Sequence, residues 1–334
     1  MQMRRLGASG LELTTIGLGT WAIGGGDWKF GWGRQDEAES IAAIQRSVDL
    51  GINWVDTAPV YGAGRSEEVV GMALRSLPAE RRPLVATKFG RINQPDGSIR
   101  PDISPDSIRA ECDASLRRLG VDAIDLYQMH WAEPDPDIEA AWQTMDELKQ
   151  AGKVRHIGVC NYSVSQLKRI AKFAPVASLQ PPYSMLRREV EAELLPHCGE
   201  HHIGVVAYSP MGKGLLTGKF SLERVDALDE KDHRRSDPNF SQPRLPVHLD
   251  LAEGLRQIAE KSGHTAAHLA IAWVLRRPEV TSAIVGARNP RQIEETAAAG
   301  DWTLSDSELV AIDMLLERHA AALARISAPG SARG

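Results

Sequence analysis

Short apolar runs alternate with amphipathic stretches along nearly the whole chain. Several runs are continuously apolar, which is typical of parallel strands covered on both faces. The pattern predicts eight strands, at TTIGLG (14–19), NWVD (53–56), PLVATK (83–88), AIDLYQMH (123–130), VRHIGV (154–159), ASLQ (177–180), GVVAYS (204–209) and TSAIVG (281–286). Helical patterns cover residues 36–51, 66–77, 104–120, 137–152, 163–173, 188–201, 247–263, 264–278 and 305–323.

Polar residues and glycines mark where several of these helices begin and end. The predicted N-caps are Asp36, Ser66, Ser104 and Ser163, and the predicted glycines after a helix are Gly51, Gly120 and Gly152. Eight strand–helix units over 334 residues give roughly 42 residues per unit, a usual size for such a unit with its loops. We therefore predict an α/β fold, a (β/α)8 TIM barrel, that forms a single domain over residues 1–334.

Some segments do not follow the repeat. Residues 4–17 are predicted to form an N-terminal β-hairpin that turns at residues 8–10. Residues 209–246 are rich in Gly, Pro and charged residues and are too long for a plain connection, so they are expected to be functional or mobile. The barrel is expected to carry extra C-terminal helices, and residues 327–334 resemble a frayed tail.

Composition excludes several classes of protein. Lys and Arg number 39 against 44 Asp and Glu, so the net charge of −5 provides no electrostatic footprint for nucleic acid. No apolar run approaches the ~18 residues of a membrane span. Three scattered cysteines provide neither a disulfide framework nor a metal motif. We expect a cytoplasmic protein without nucleic-acid or membrane partners, either a monomer or a homo-oligomer.

Candidate chemistry lies at the predicted strand ends, where TIM barrels place their active sites. Asp56, Lys88 and His130 each close a predicted strand, and Tyr61 follows five residues after Asp56. Taken singly, each has an ordinary structural explanation: a helix cap, a solvated lysine, a core histidine or a packed ring. Their position at one end of one barrel favours a catalytic site.

The chemistry of these four residues is coherent. A tyrosine has a pKa near 10, and a nearby lysine ammonium favours its phenolate. A carboxylate such as Asp56 keeps the Lys88 ammonium charged in a partly buried site. A neutral His130 imidazole can donate a hydrogen bond to a carbonyl oxygen. Together these residues could polarise and protonate a carbonyl while another group delivers a hydride.

The motifs around these residues resemble those of the aldo-keto reductase superfamily, in particular its bacterial general stress protein-like branch. The resemblance covers nearly the whole length, through GLGTW (17–21), DTAPVYG (56–62), ATKFG (86–90), DLYQMHW (125–131), GKVRHIGVCNYS (152–163), LQPPYSML (179–186), YSPMGKGLLTGK (208–219) and IVGARNPRQIEE (284–295). It implies an NADP(H)-binding barrel that reduces aldehyde or ketone carbonyls to alcohols. In it, Tyr61 would be the general acid, tuned by Lys88 and Asp56, and His130 would orient the carbonyl.

The resemblance also implies the residues that bind the cofactor. Those at the nicotinamide end would be Gly19, Thr20, Trp21, Asp56, Asn161, Gln180 and the stacking ring of Tyr208. Those along the pyrophosphate would be Ser209, Met211, Lys213, Gly214 and Leu215, so that the segment 209–246 would be a flap over the cofactor. Those at the adenosine end would be Gly286, Arg288, Gln292 and Glu295. Arg288 would bind the 2′-phosphate, which favours NADPH over NADH.

The sequence differs from the family at three of its positions. Cys160 replaces a common serine, Thr296 a common asparagine and Met211 a common leucine. Arg234 and Arg235 either reach the cofactor phosphate or are solvated loop charges. Large aromatic side chains on the loops at the barrel mouth are candidates for the walls of the substrate site, and these are Trp28, Trp32 and Trp131.

Other patterns leave alternatives or favour ordinary explanations. A cofactor-binding regulatory subunit resembling potassium-channel β subunits is the first alternative function, and an aldolase using a Lys88 Schiff base is the second. The pair His201–His202 has no third residue spaced for metal, so we expect surface histidines and no metal site. The glycines at 24–26 do not form a Rossmann fingerprint.

Overall fold

Eight parallel strands form a closed barrel in the computed structural model of the protein, which describes residues 1–327. The strands are β3 (Ile16–Gly19), β4 (Trp54–Asp56), β5 (Leu84–Phe89), β8 (Ile124–Met129), β9 (Val154–Cys160), β10 (Ser178–Gln180), β11 (Gly204–Tyr208) and β12 (Val280–Gly286). Each pairs in parallel with the next in this order, and β12 pairs with β3. The predicted TIM barrel is therefore confirmed, as are all eight strands to within one or two residues at each end.

Helices surround the barrel because their apolar faces pack on the outer face of the strands, in one continuous buried core. They are α1 (Glu37–Asp49), α2 (Arg65–Ser76), α3 (Pro105–Leu119), α4 (Ile138–Gln150), α5 (Val164–Ile170), α6 (Leu194–Glu200), α7 (Leu222–Asp226), α8 (Arg244–Lys261), α9 (Ala266–Leu275), α10 (Pro290–Ala297) and α11 (Asp306–Ser327). The C-terminal α11 packs against α8. The predicted extra C-terminal helices are thus confirmed.

The N-terminal hairpin closes the amino end of the barrel. Strands β1 (Met3–Arg5) and β2 (Glu12–Thr14) pair antiparallel, as predicted. Leu6 and Leu13 are buried against Trp54, whose ring lies inside the barrel. Gly7 has a φ of +53°, and a Cβ there would overlap the backbone of His202 and Gly204. The hairpin therefore leaves only the carboxyl end of the barrel open for a site.

The structure corrects some boundaries. The predicted helix 188–201 is a short 3-10 turn, Glu189–Glu191, followed by α6. The segment 209–246 contains short helical turns and α7, and α8 begins before residue 246. Apolar patterning did not predict a second hairpin, β6 (Arg91–Asn93) with β7 (Ile99–Pro101), or helix α10, although the family resemblance implies a helix N-terminus at the start of α10. The predicted tail after residue 327 lies outside the described residues.

Three of the four predicted N-caps are at the first position before their helices. The exception is Ser66, because α2 begins one residue earlier and its N-cap is Gly64. The Ser66 hydroxyl instead lies in a buried cluster, 2.7 Å from the Thr20 hydroxyl and 2.9 Å from the Thr57 hydroxyl. This cluster joins the two ends of the loop that carries Tyr61 to the end of β3.

Candidate active site

Lys88 lies at the centre of the candidate site. It is the penultimate residue of β5 and its side chain is fully buried. Its Nζ donates to Asp56 Oδ2 at 2.7 Å, to the Thr57 carbonyl at 2.9 Å and to the Tyr61 hydroxyl oxygen at 3.2 Å. All three ammonium protons therefore have acceptors, which satisfies a buried charge that would otherwise be very unfavourable.

Charge around Lys88 keeps the lysine protonated. Burial lowers the pKa of Lys88, but the Asp56 carboxylate and the Tyr61 oxygen outweigh burial and hold that pKa above its usual value. Asp56 closes β4, and its second oxygen, Oδ1, accepts from Gln180 Nε2 at 2.9 Å. The predicted pairing of Asp56 with Lys88 is confirmed.

Burial and the neighbouring charges act in different directions on the pKa of the Tyr61 hydroxyl. Burial raises the pKa of Tyr61 well above its usual value; the Lys88 ammonium opposes this rise and the Asp56 carboxylate supports it. Lys88 thus acts in the expected direction, but burial has the larger effect, so the pKa of Tyr61 is raised overall. Within residues 1–327 the Tyr61 hydroxyl proton has no acceptor, so it is free to be donated.

His130 follows β8 at the mouth of the barrel. Its ring centroid lies 6.0 Å from that of Tyr61, with the planes at 80°. Burial, Lys88 and Arg91 hold the pKa of His130 well below its usual value, so the imidazole is neutral near pH 7. No side chain of the described chain makes a hydrogen bond to this ring, which leaves its nitrogens available to a ligand.

The two amide side chains predicted at the nicotinamide end already make some hydrogen bonds within the chain. Asn161 donates from Nδ2 to the His130 carbonyl at 3.1 Å, and its Oδ1 accepts from the Tyr208 hydroxyl at 2.9 Å. Gln180 Nε2 is used by Asp56 and by Gln128, whereas Gln180 Oε1 accepts no hydrogen bond from any described residue. That oxygen fits an amide N–H donor such as a carboxamide.

Gln128 was not predicted as a site residue. It is fully buried, and its Oε1 accepts from Gln180 Nε2 at 3.3 Å. It lies two positions before His130, so strand alternation gives both side chains the same direction, and this spacing could have indicated it. Cys160, which replaces the serine common in the family, is buried and donates weakly to the same oxygen over 3.8 Å.

Three residues predicted at the nicotinamide end of the cofactor lie at the end of β3 or directly after it, and these are Gly19, Thr20 and Trp21. Gly19 pairs with Gly286 across β3 and β12, so the two glycines lie side by side. The Thr20 hydroxyl is used by the Asp56 carbonyl and Ser66. The Thr20 backbone N–H also donates to the Asp56 carbonyl, at 2.9 Å, so both donors of this residue already have partners within the chain. The Trp21 ring lies 6.4 Å from the Tyr61 ring and nearly parallel to it.

The predicted pyrophosphate residues lie in a tightly turned loop after β11. Ser209, Lys213 and Gly214 all have φ values in the left-handed region, at 57°, 57° and 99°. Lys213 Nζ pairs with Asp237 Oδ2 at 2.8 Å. Leu215 is buried beneath this loop, and Met211 packs on the main core. The ion pair joins the loop to the turn at residues 237–240.

At the predicted adenosine end, Glu295 pairs with Lys219 at 2.5 Å and with Arg291 at 3.0 Å. Gln292 accepts at Oε1 from the Arg288 backbone N–H at 2.8 Å. Thr296, which replaces the common asparagine, donates to the Gln292 carbonyl of its own helix, so its hydroxyl is already used. Helix α10 begins here, with Asn289 as its N-cap.

Arg234 and Arg235 behave differently from each other. Arg234 pairs with the buried Asp232 at 2.5 Å and lies 4.5 Å from the Trp32 ring centroid, so it is not a solvated charge. Arg235 is exposed and donates to the carbonyls of Asp226 and Leu228. Neither arginine has a free side chain.

The three predicted substrate tryptophans are not equivalent. Trp28 lies 6.0 Å from the Tyr61 ring and also borders a cleft of about 500 Å³ between residues 26–29 and 230–236. Trp32 packs edge-on against Trp21 and lies beneath Arg234. Trp131 is 39% exposed and lies against Arg91. The structure therefore brings Trp28, but not Trp32, against the Tyr61 ring.

The two adjacent histidines lie at the surface, as expected. His201 and His202 are both exposed. Within the described residues, no group of three His, Cys, Asp or Glu side chains is arranged to hold a metal ion. No helix in the same part of the chain is long and apolar enough to cross a membrane.

The profile of the Aldo/keto reductase family matches residues 15–317. The chain belongs to this family, whose members are oxidoreductases that use nicotinamide cofactors and act on small-molecule carbonyl substrates. The family resemblance drawn from the sequence motifs is thus confirmed.

Individual relatives cover nearly the whole chain. Aldo-keto reductase YhdN of Bacillus subtilis is 37% identical over 318 residues, covering 95% of this chain and 94% of its own. The NADH-specific methylglyoxal reductase of Escherichia coli is 36% identical over 316 residues, covering 91% and 94%. The structure of the glycerol dehydrogenase AKR11B4 from Gluconobacter oxydans is similar with a TM-score of 0.85, 38% identity and 95% coverage of both chains.

Proposed function

We propose that this protein, as a single cytoplasmic domain over residues 1–334, is an NADPH-dependent reductase that converts aldehydes or ketones to alcohols. The observation that carries the proposal is the cluster of Asp56, Lys88 and Tyr61, in which a charged ammonium holds a tyrosine hydroxyl whose proton is free. Such a hydroxyl, beside a neutral imidazole, suits the protonation of a carbonyl oxygen.

Nicotinamide cofactor chemistry supplies the hydride. Gln180 Oε1 and the Asn161 amide would hold the carboxamide, and Tyr208 would stack on the ring. The left-handed loop at 209–214 would follow the pyrophosphate through its backbone. The N-terminus of α10, together with Arg288, Gln292 and Glu295, would hold the adenosine end, where a helix dipole favours phosphate.

The chain's own residues would then act on the carbonyl. His130 would donate a hydrogen bond to the carbonyl oxygen, because its pKa is too low for it to carry a charge near pH 7. Tyr61 would donate its proton to the same oxygen as negative charge develops there, and Lys88 would stabilise the phenolate left behind. Trp28 and Trp131 would form walls of the substrate site.

The two alternatives lack support of this kind. A Schiff-base aldolase needs a neutral lysine amine, whereas Asp56 and Tyr61 hold the pKa of Lys88 above its usual value. A regulatory subunit has no need for a free tyrosine proton beside a neutral imidazole. The geometry of all four side chains therefore favours turnover.

The test is a reduction assay with aldehydes, ketones and dicarbonyls. The reaction is monitored through the consumption of NADPH and through analysis of the products. We expect at least one carbonyl to be converted to its alcohol with one NADPH consumed per product. Borohydride trapping of a carbonyl compound on Lys88, with cleavage products and no NADPH consumption, would support the aldolase. Tight NADPH binding without turnover on any carbonyl would support the regulatory subunit.

A further inference from the structure

The guanidinium of Arg288 is held entirely by the loop between β3 and α1. Its Nε donates to Gln35 Oε1 at 2.7 Å, its Nη1 to the Trp32 carbonyl at 3.1 Å, and its Nη2 to the Arg34 carbonyl. Each of the three nitrogens therefore has one acceptor, and each acceptor is an uncharged oxygen. Five N–H groups are present on a guanidinium, so two remain for a further acceptor.

The positive charge of Arg288 is not cancelled by this arrangement. Within residues 1–327 no carboxylate lies within ion-pair distance of Arg288. Nearby cations do have carboxylate partners: Lys213 pairs with Asp237 and Arg234 with Asp232. Burial, and then the nearby Arg234, lower the pKa of Arg288, while the more distant carboxylates of Asp232 and Asp229 oppose this shift. The group remains charged, since free arginine titrates far above neutrality.

Gln35 contacts Arg288 twice, once at the guanidinium and once at the backbone carbonyl. Its Oε1 accepts from Arg288 Nε, and its Nε2 donates to the Arg288 carbonyl at 2.8 Å. The same Nε2 donates to the Ser40 hydroxyl at 2.8 Å, which fixes the orientation of the amide. The amide thus positions Arg288 while remaining neutral. A glutamate of the same shape would place a negative charge on the guanidinium instead.

We infer that Gln35 is a positioning residue that sets the choice between NADPH and NADH. The inference rests on the proposed function, in which Arg288 meets the 2′-phosphate. Gln35 holds the guanidinium in one orientation, so less side-chain freedom is lost when the phosphate binds. Because the amide is neutral, the attraction of Arg288 for a doubly charged phosphate is retained.

The test measures binding of NADPH and NADH directly, by tryptophan fluorescence or calorimetry at low ionic strength, without substrate. Gln35→Glu should weaken NADPH binding by about tenfold, the scale of one added charge pair in a partly buried site. NADH binding should change by less than about twofold, because NADH lacks the 2′-phosphate that would meet Arg288. Gln35→Leu, which removes the hydrogen bonds without adding charge, should weaken NADPH by a smaller factor.

Two controls isolate the mechanism. Gln45→Glu adds the same charge on α1, where Gln45 donates to Ser76, and should leave the NADPH:NADH affinity ratio unchanged. In an Arg288→Leu background, Gln35→Glu should no longer weaken NADPH relative to NADH, since its effect is exerted through Arg288. Thermal unfolding of each variant confirms that the fold is retained.

The outcomes separate the inference from the proposed function. If Arg288→Leu lowers the NADPH:NADH ratio but Gln35→Glu does not, the role of Gln35 is wrong and the proposed function stands. If Gln35→Glu weakens both cofactors equally, or still weakens NADPH in the Arg288→Leu background, the inference is also overturned. If the wild-type protein binds neither cofactor, the proposed function and the inference both fail.

Discussion

Lys88 Nζ lies 3.2 Å from the Tyr61 hydroxyl oxygen and 2.7 Å from Asp56 Oδ2, so a single buried ammonium contacts both a carboxylate and a phenol. Asp56 is at the end of β4, Lys88 is near the end of β5, and Tyr61 is in the loop after β4. The parallel pairing of β4 with β5 brings these three side chains together, which links the stability of the barrel core to the proposed chemistry.

The first prediction concerns this buried pair. Lys88→Met should lower the free energy of unfolding by about 3–5 kcal/mol, because it leaves the buried Asp56 without its cation. The double variant Asp56→Asn/Lys88→Met should be more stable than Lys88→Met alone, since the uncompensated charge is gone. Urea unfolding at neutral pH measures both.

The exposed ion pair of Arg81 with Asp49, at 2.6 Å, provides the matched control. Both side chains are nearly half exposed, so Arg81→Met should cost less than about 1 kcal/mol. Equal losses for Lys88→Met and Arg81→Met would show that burial of the Lys88–Asp56 pair has no particular energetic consequence.

The second prediction concerns the five tyrosines, which are all the tyrosines of the chain. Burial raises the pKa of every one, and raises that of Tyr208 to about 12. A folded pKa above the unfolded value of about 10 means that the contribution to stability is complete below pH ~10 and is lost as the pH rises further. Tyrosinate absorbance should therefore be nearly absent from the native protein at pH ~10.5.

Spectrophotometric titration of the native protein and of the protein in urea measures this difference. The unfolded chain should titrate near pH 10. Tyr61→Phe identifies the contribution of the proposed acid. If the native protein titrates one tyrosine near pH 10, and Tyr61→Phe removes it, the upward shift of the Tyr61 pKa is wrong.

The third prediction concerns a pair of histidines, the buried His248 and the half-buried His319, that joins α8 to α11. His248 Nδ1 lies 2.9 Å from His319 Nε2, so one ring donates and the other accepts, and the contact excludes double protonation. Burial, together with His319 and Arg244, lowers the pKa of His248 to about 4, and Asp237 opposes this. Because the folded pKa lies below the unfolded one, stability is complete above pH ~6.5 and decreases towards pH ~4.

The expected size of this loss is on the order of 3 kcal/mol. His248→Gln keeps hydrogen-bonding groups but does not titrate, so its free energy of unfolding should fall less between pH 7.5 and 4.5 than that of the wild type. Urea unfolding at both pH values gives the comparison. Parallel losses in the two proteins would refute the role of His248.

Sequence patterns predicted the parts of this structure that depend on periodicity. Continuous apolar runs identified all eight barrel strands, and the polar residues that close β4 and β5 identified Asp56 and Lys88. Apolar patterning did not identify helix α10 or the β6–β7 hairpin, because these segments contain few apolar residues and no continuous apolar run. Contacts between loops that are distant in the sequence were also not predicted.

Gln35 is an example, since nothing in its spacing along the sequence indicates contact with Arg288, 253 residues away. Likewise, the direction in which the pKa of Tyr61 shifts depends on burial, and the spacing of residues along the sequence does not show how deeply a side chain is buried. The family motifs supplied the list of cofactor residues. The structure shows which of their polar groups are already used, as for the Thr20 and Thr296 hydroxyls.

The most direct test of the proposed reductase compares wild-type protein with Tyr61→Phe on the best carbonyl substrate, with NADPH binding measured in parallel. We predict that Tyr61→Phe lowers kcat by about 10²-fold or more, since general acid catalysis contributes ~10²–10⁴-fold, while the Kd for NADPH changes by less than about twofold. Carbonyl reduction by Tyr61→Phe at the wild-type rate would contradict the account.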